Sequence, residues 1–272
     1  MTKNYLIFFL LLFCLRSVGQ DFNVQQERVS HDYQTAKWKV ADQLRTNKPG
    51  LFGEFIPDIE QKLTARGKMV ALTFDACGGP NGSGVDRAIL DFLKKEKIPA
   101  TLFISGSWLE KNLALFKQLC KEPLFEIENH GLTHRPFAIA GETKYKIRGT
   151  QNFSEAYDEV ELNARQIQFY AHRRPLFYRP ATVAADQGAV AIARQLKMIL
   201  VGYSVLSNDA LAGSSTDLIR KSILDKIKPG AIVIMHMNHP ERNGLSALRL
   251  VVPVLRSQGY QFVKLENNLA GK

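Results

Sequence analysis

The chain has 272 residues, 45% of them hydrophobic and 23% charged, which supplies one large core and is a size that α/β barrels reach as a single domain. The formal net charge is +10, but the basic residues are dispersed, as in Lys94-Lys95-Glu96-Lys97, Arg173-Arg174 and Lys226-Ile227-Lys228. No nucleic-acid-binding motif gathers them, so nucleic acid is set aside as a partner and the excess reads as a solvated basic surface.

In chain order, Lys3 precedes an apolar run over residues 5–15, and Arg16-Ser17-Val18-Gly19 places small residues at cleavage positions. The run is too short to span a bilayer, so residues 1–19 read as a cleaved secretory signal and the protein as secreted or periplasmic. Cys14 raises a lipoprotein anchor, but bulky Phe13 stands where such a site wants a small residue. Loss of Lys3 and Arg16 leaves 34 basic against 26 acidic residues, a mature charge of +8, which also fits attraction to anionic envelope or wall polymers. Residues 20–66 are polar, helical in places and broken at Lys48-Pro49-Gly50; they read as a lead-in that packs on a main domain over residues 67–268.

That domain opens on the apolar strand 69–74, which stops at Asp75 and is followed by Ala76-Cys77-Gly78-Gly79-Pro80-Asn81-Gly82. A carboxylate at the tip of a buried strand, beside a glycine-rich loop that lets a ligand approach the backbone, suits catalysis better than structure. A helix over 86–97 follows, capped near Gly84, with Ile89, Leu90 and Leu93 on its apolar face; then come a strand over 100–104 and a helix over 108–120. Phe125-Glu126-Ile127 ends a short strand, and just beyond it His130 and His134 lie four residues apart. One helical turn brings such a pair to one face, where two imidazoles can share a metal ion. Two surface imidazoles on a turn is the bland alternative.

A helix capped by Ser154 runs to about residue 171, and Leu176-Phe177-Tyr178 leads into Arg179-Pro180. A helix over 185–196, a strand over 198–205, a helix over 217–227, a strand over 231–235 ending at His236, a helix over 245–258 and a strand over 261–264 complete the chain. Repeated β-then-α units imply a parallel sheet with helices outside. Taken singly, Asp75, His130, Arg179 and His236 read as caps or salt-bridge partners. Their common place at strand ends, where α/β folds bind ligands, points to one shared site. Cys77 at a strand tip and Cys120 at the far end of a helix are too widely separated to bond, so two free thiols are expected.

Thr73-Phe74-Asp75-Ala76, His130-Gly131-Leu132-Thr133-His134, Tyr178-Arg179-Pro180-Ala181, Val205-Leu206-Ser207-Asn208-Asp209 and Ile234-Met235-His236 resemble, in order and spacing, the motifs of the polysaccharide deacetylases with a NodB-like domain, carbohydrate esterase family 4. The resemblance covers residues 68–265. It implies an incomplete, distorted (β/α) barrel and a secreted, metal-dependent hydrolase. The substrate would be an amino-sugar polymer that loses N-acetyl groups, peptidoglycan first and chitin-like or poly-N-acetylglucosamine chains next. It further implies a divalent metal ion, zinc, on His130 and His134, with Asp75 as general base, His236 as general acid, Arg179 orienting Asp75, and Asp209 orienting Arg179 or His236. No membrane span and a monomer are expected.

The departures from the family pattern at Ala76, Leu206 and Ala210 bear on the site. Ala76 replaces the second aspartate of the first motif, which helps hold the metal in the family, and Leu206 and Ala210 replace the usual aspartate and tryptophan of the fourth. Catalytic zinc normally has three protein ligands and a water. Asp75 turning inward, an extra water, a carboxylate from elsewhere or the Cys77 thiolate are the candidates for the vacant place. The Cys77 side chain is expected to point away from that of Ala76, which counts against it. His239 is a reserve site residue that reads as a solvated loop imidazole. The rival readings are a metal-free, inactive carbohydrate-binding homologue and a hydrolase of another C–N bond.

Overall fold

The computed structural model describes residues 21–64 and 67–269; the expected signal segment and Cys14 lie outside them. Among these residues, nine strands form one parallel sheet. In spatial order they are Val205–Leu206, Ala231–His236, Met69–Ala76, Ala100–Ile104, Phe125–Asn129, Phe177–Tyr178, Ile199–Val201 and Ile59–Glu60, with Gln261–Phe262 paired to the start of Met69–Ala76. The two ends of this order are joined by only three residues, 202–204, which run from Ile199–Val201 near one edge to Val205–Leu206 at the other. A flat sheet cannot satisfy that connection, so the sheet curls round. Leu63 N–H donating to the Gly230 carbonyl (2.8 Å) and a bridge between Lys62 and Ala231 draw the edges together irregularly. The result is an incomplete, distorted (β/α) barrel.

Side-chain alternation then sorts the strand residues into two layers. Val70, Leu72, Phe74 and Ala76, with Val233, Met235 and Met237, pack outward in a cluster with helices Arg87–Lys95, Gly106–Lys111 and Gly244–Ser257. Ala71, Phe103, Phe177, Val201 and Ile232 face inward with Leu265 and Leu269 and fill the lower barrel. The next inward positions along the same strands carry the polar residues of the site.

Residues 24–43 form two helices, Val24–Arg28 and His31–Gln43, which lie against the helix Phe153–Ala171. Tyr33 donates to Asp158 (2.6 Å) and Lys37 pairs with it (2.7 Å). The same N-terminal stretch also contributes the edge strand Ile59–Glu60 to the sheet.

Local departures from the sequence reading have identifiable causes. Residues 108–120 make two helices, Gly106–Lys111 and Leu113–Leu119, because Asn112 leaves helical geometry and its amide donates to Ser83 and Trp108 carbonyls. Residues 198–205 divide into two strands toward opposite ends of the sheet, Ile199–Val201 next to one edge strand and Val205–Leu206 at the other edge. Asp86 and Asn152 cap their helices, rather than Gly84 and Ser154, each accepting from the backbone N–H three residues on. Cys77 and Cys120 are both free. Among the described residues no helix is long and apolar enough to cross a membrane.

Candidate active site

Thr73, Asp75 and Cys77 alternate onto the interior side of Met69–Ala76 and its continuation. Asp75 is paired in register with His236 on one neighbouring strand and with Phe103 on the other. Arg179 follows the strand Phe177–Tyr178, and His130 follows Phe125–Asn129. All four polar residues therefore stand at the carboxyl ends of neighbouring strands.

Arg179 is fully buried and every hydrogen bond it makes is directional. Its Nη1 donates to Asp75 Oδ1 (2.8 Å) and Thr73 Oγ1 (2.8 Å), its Nη2 to the Gly202 carbonyl (2.8 Å) and its Nε to the Val201 carbonyl (3.2 Å). The guanidinium lies 4.1 Å from the centre of the Phe103 ring. A buried charge is tolerable only when paired and hydrogen-bonded, and this one is both. Burial alone would raise the Asp75 carboxyl, but Arg179, with help from His130 and His236, holds it below the usual carboxylate range.

His236 is oriented by Asp209, not Arg179 by Asp209. The His236 Nδ1 lies 3.0 Å from Asp209 Oδ1, and its backbone N–H donates to Oδ2 (2.7 Å); Ser207 Oγ completes the carboxylate (2.8 Å). Burial would lower the imidazole, yet Asp209 and then Cys77 hold it well above its ordinary value. His239 instead pairs with Glu241 on its loop (2.9 Å).

The two histidines of the four-residue pair converge through a loop and not a helical turn. Gly131 and His134 both have left-handed backbones (φ 83° and 60°), and the rings end with centres 4.8 Å apart. His130 Nδ1 lies 2.7 Å from the Arg179 carbonyl, which accepts a hydrogen bond from Nδ1–H and leaves Nε2 to bind a ligand. That Nε2 lies 3.7 Å from Asp75 Oδ2 and 3.8 Å from Cys77 Sγ. Among the described residues, Cys77, His130 and His134 form a group whose donor atoms all lie within 4.8 Å of one another. Cys77 does point away from Ala76, but the inference that this counts against Cys77 as a ligand is corrected here. Ala76 is the residue turned into the outer core, and facing the opposite way brings Cys77 to the histidines. Burial pushes the Cys77 thiol up, but His134, His130 and His236 around it hold it well below its ordinary value.

Glu159, on the helix Phe153–Ala171, is a residue that sequence reasoning missed. Its buried carboxylate accepts from Thr133 N–H (3.0 and 3.1 Å), Thr133 Oγ1 (2.6 Å) and Arg135 N–H (3.1 Å), and its carbonyl accepts from Leu132 N–H (2.8 Å). One side chain thus pins the backbone on both sides of His134. Gly131 stands where the family motif has Ser or Thr, and a Cβ there would come within 2.4 Å of Glu159 Oε1. The only hint in the sequence is that Glu159 lies one helical turn from the apolar Ala156 and Leu162, on the face the helix buries.

The family model for polysaccharide deacetylases matches residues 62–201. The chain belongs to the polysaccharide deacetylase family. Among its curated relatives is the peptidoglycan-N-acetylglucosamine deacetylase of Listeria monocytogenes, 29% identical over 213 residues that make up 78% of this chain; the match spans 40% of the relative's length. A peptidoglycan-N-acetylglucosamine deacetylase of Bacillus cereus is 26% identical over 207 residues, 75% of this chain and 90% of the relative. Among solved structures, a mutant of a family pseudoenzyme with restored enzymatic activity superposes with a TM-score of 0.66 at 27% identity, over 80% of this chain and 73% of the other.

On the expectation that His130 and His134 hold a divalent ion, Glu159→Ala weakens its binding about 10- to 100-fold, the effect of losing a group that positions a ligand histidine. Competition with a chromophoric chelator measures it, and unchanged affinity would show that the loop holds His134 unaided.

Proposed function

We propose that this chain is an exported, metal-dependent hydrolase that removes N-acetyl groups from an amino-sugar polymer, peptidoglycan before chitin-like chains. The observation that carries the reading is the meeting of an Arg179-held carboxylate, an Asp209-held imidazole and a histidine pair at one end of one barrel. The donor set fits a divalent ion, because His130 offers a free Nε2 and His134 lies beside it. An ion held there, zinc by the chemistry of imidazole ligands, supplies Lewis-acid polarisation of a carbonyl and a lowered pKa for water.

The chain's own residues supply the remaining steps. Amide hydrolysis needs a base for the attacking water and an acid for the departing nitrogen. Asp75 is kept ionised by Arg179 and is the base; its Oδ2, free of Arg179, faces His130 and accepts the proton. His236 engages Asp209 through Nδ1, so its Nε2 side is left to deliver a proton to the sugar nitrogen as the acetyl group leaves as acetate. Arg179 orients Asp75 and touches no reacting atom.

Acetate release from purified peptidoglycan and from N-acetylglucosamine oligomers, measured before and after dialysis against a chelator, tests the proposal. Release that stops on chelation and returns with zinc is expected. A chain that binds these polymers without releasing acetate would be the carbohydrate-binding rival.

A further inference from the structure

We propose that Cys77 is the third protein ligand of the metal, so that the centre is a Cys-His-His site in which a thiolate one residue further on replaces the carboxylate lost at Ala76. This rests on the metal-dependent reading above and specifies the class of ion it takes. Ideal tetrahedral zinc, with bonds of about 2.3 Å to sulfur and 2.0–2.1 Å to nitrogen, sets S and N donors about 3.6 Å apart. Cys77 Sγ and His130 Nε2 are 3.8 Å apart and His134 closes the group within 4.8 Å. Small side-chain movements therefore suffice for all three to bind.

Asp75 is a weaker candidate for the same place, because its Oδ1 is taken by Arg179 and it stands outside that donor group. The exchange also conserves charge, with one anionic and two neutral ligands before and after.

The backbone around Cys77 is built for this position. Ser105 N–H donates to the Ala76 carbonyl (3.2 Å) and Ser105 Oγ to the Cys77 carbonyl (2.7 Å). Gly78 and Gly79 follow in left-handed conformations (φ 76° and 78°), and a Cβ on Gly78 would come within 2.3 Å of Ser107 Oγ and 2.6 Å of Trp108 N. The chain can turn off the strand tightly only because residue 78 has no side chain, and that turn keeps Cys77 against the histidines. A second anchor on the same carbonyl comes from Ser107 Oγ at 3.5 Å.

A thiolate makes the site softer than a carboxylate would, favouring zinc or cobalt over manganese and magnesium. The test uses the exported chain loaded with cobalt(II), zinc or manganese, in wild type, Cys77→Ser, Cys77→Asp and His130→Ala. The wild-type cobalt form should show a sulfur-to-cobalt charge-transfer band in the near ultraviolet. Cys77→Ser should lose the band and bind zinc more than about 100-fold more weakly, beyond the range of losing a mere positioning group. Cys77→Asp should keep an ion without the band and shift the zinc-over-manganese preference by about tenfold or more toward manganese.

A wild-type cobalt spectrum without the band, or wild-type zinc affinity in Cys77→Ser, overturns the assignment, as does an acetyl group found on Cys77 by mass spectrometry during turnover. His130→Ala separates the two readings. If it loses metal while Cys77→Ser keeps it, only the thiolate ligand fails. If the wild-type chain binds none of the three ions, the metal-dependent reading fails with it.

Discussion

Asp75→Asn is expected to lower kcat for acetate release by about 10²- to 10⁴-fold, the usual worth of a positioned general base, with KM little changed and the metal still bound. Asparagine keeps an oxygen where Asp75 Oδ1 accepts from Arg179 but cannot take a proton at the position of Oδ2. Arg179 keeps Thr73 Oγ1 and the Val201 and Gly202 carbonyls as acceptors, so the chain should fold with a lowered Tm, because a buried guanidinium has lost its counter-charge. Loss in kcat at constant KM is the mark of an interaction made only in the transition state. Wild-type release by this variant would place the base elsewhere.

The sheet and most of the site were legible because the strands are short apolar runs that end in reactive residues. Asp75, Arg179 and His236 announce themselves by interrupting such runs, and strand alternation assigns them to one face. The same alternation places Cys77 on the face of Thr73 and Asp75. Ala76, where the family carries its second aspartate, is a misleading guide to the site because it belongs to the outer core with Phe74 and Ile104. The route by which His130 and His134 meet was not legible either. Spacing of four fits a helical turn, but left-handed Gly131 and His134 make a loop, and what stabilises that loop is Glu159, 25 residues further along the chain than His134. A tertiary contact of this kind leaves no local periodicity. The division of residues 198–205 between opposite ends of the sheet is not legible for the same reason, since an apolar run records burial and not its strand partners.

Ala76→Asp restores the family's first motif in sequence, and is expected to destabilise the chain without strengthening its metal site. Ala76 is fully buried, in register with Ile104, and its Cβ lies in the apolar cluster that includes Phe74 and Trp108. A carboxylate placed there has no counter-charge, and an uncompensated buried charge costs about 3–5 kcal/mol. Turning residue 76 toward the histidines would relieve that cost only by rotating the end of the strand. Ser105 resists the rotation twice, through its N–H to the Ala76 carbonyl and its hydroxyl to the Cys77 carbonyl, and any rotation that brought residue 76 inward would carry Cys77 outward. One anionic ligand would be exchanged for another at the cost of the local fold. The expected result is a fall in Tm with zinc affinity unchanged or reduced, read by thermal melts and a chelator titration beside the wild type. A clear gain in affinity would mean that the position left by the aspartate is open, and that Cys77 does not occupy it.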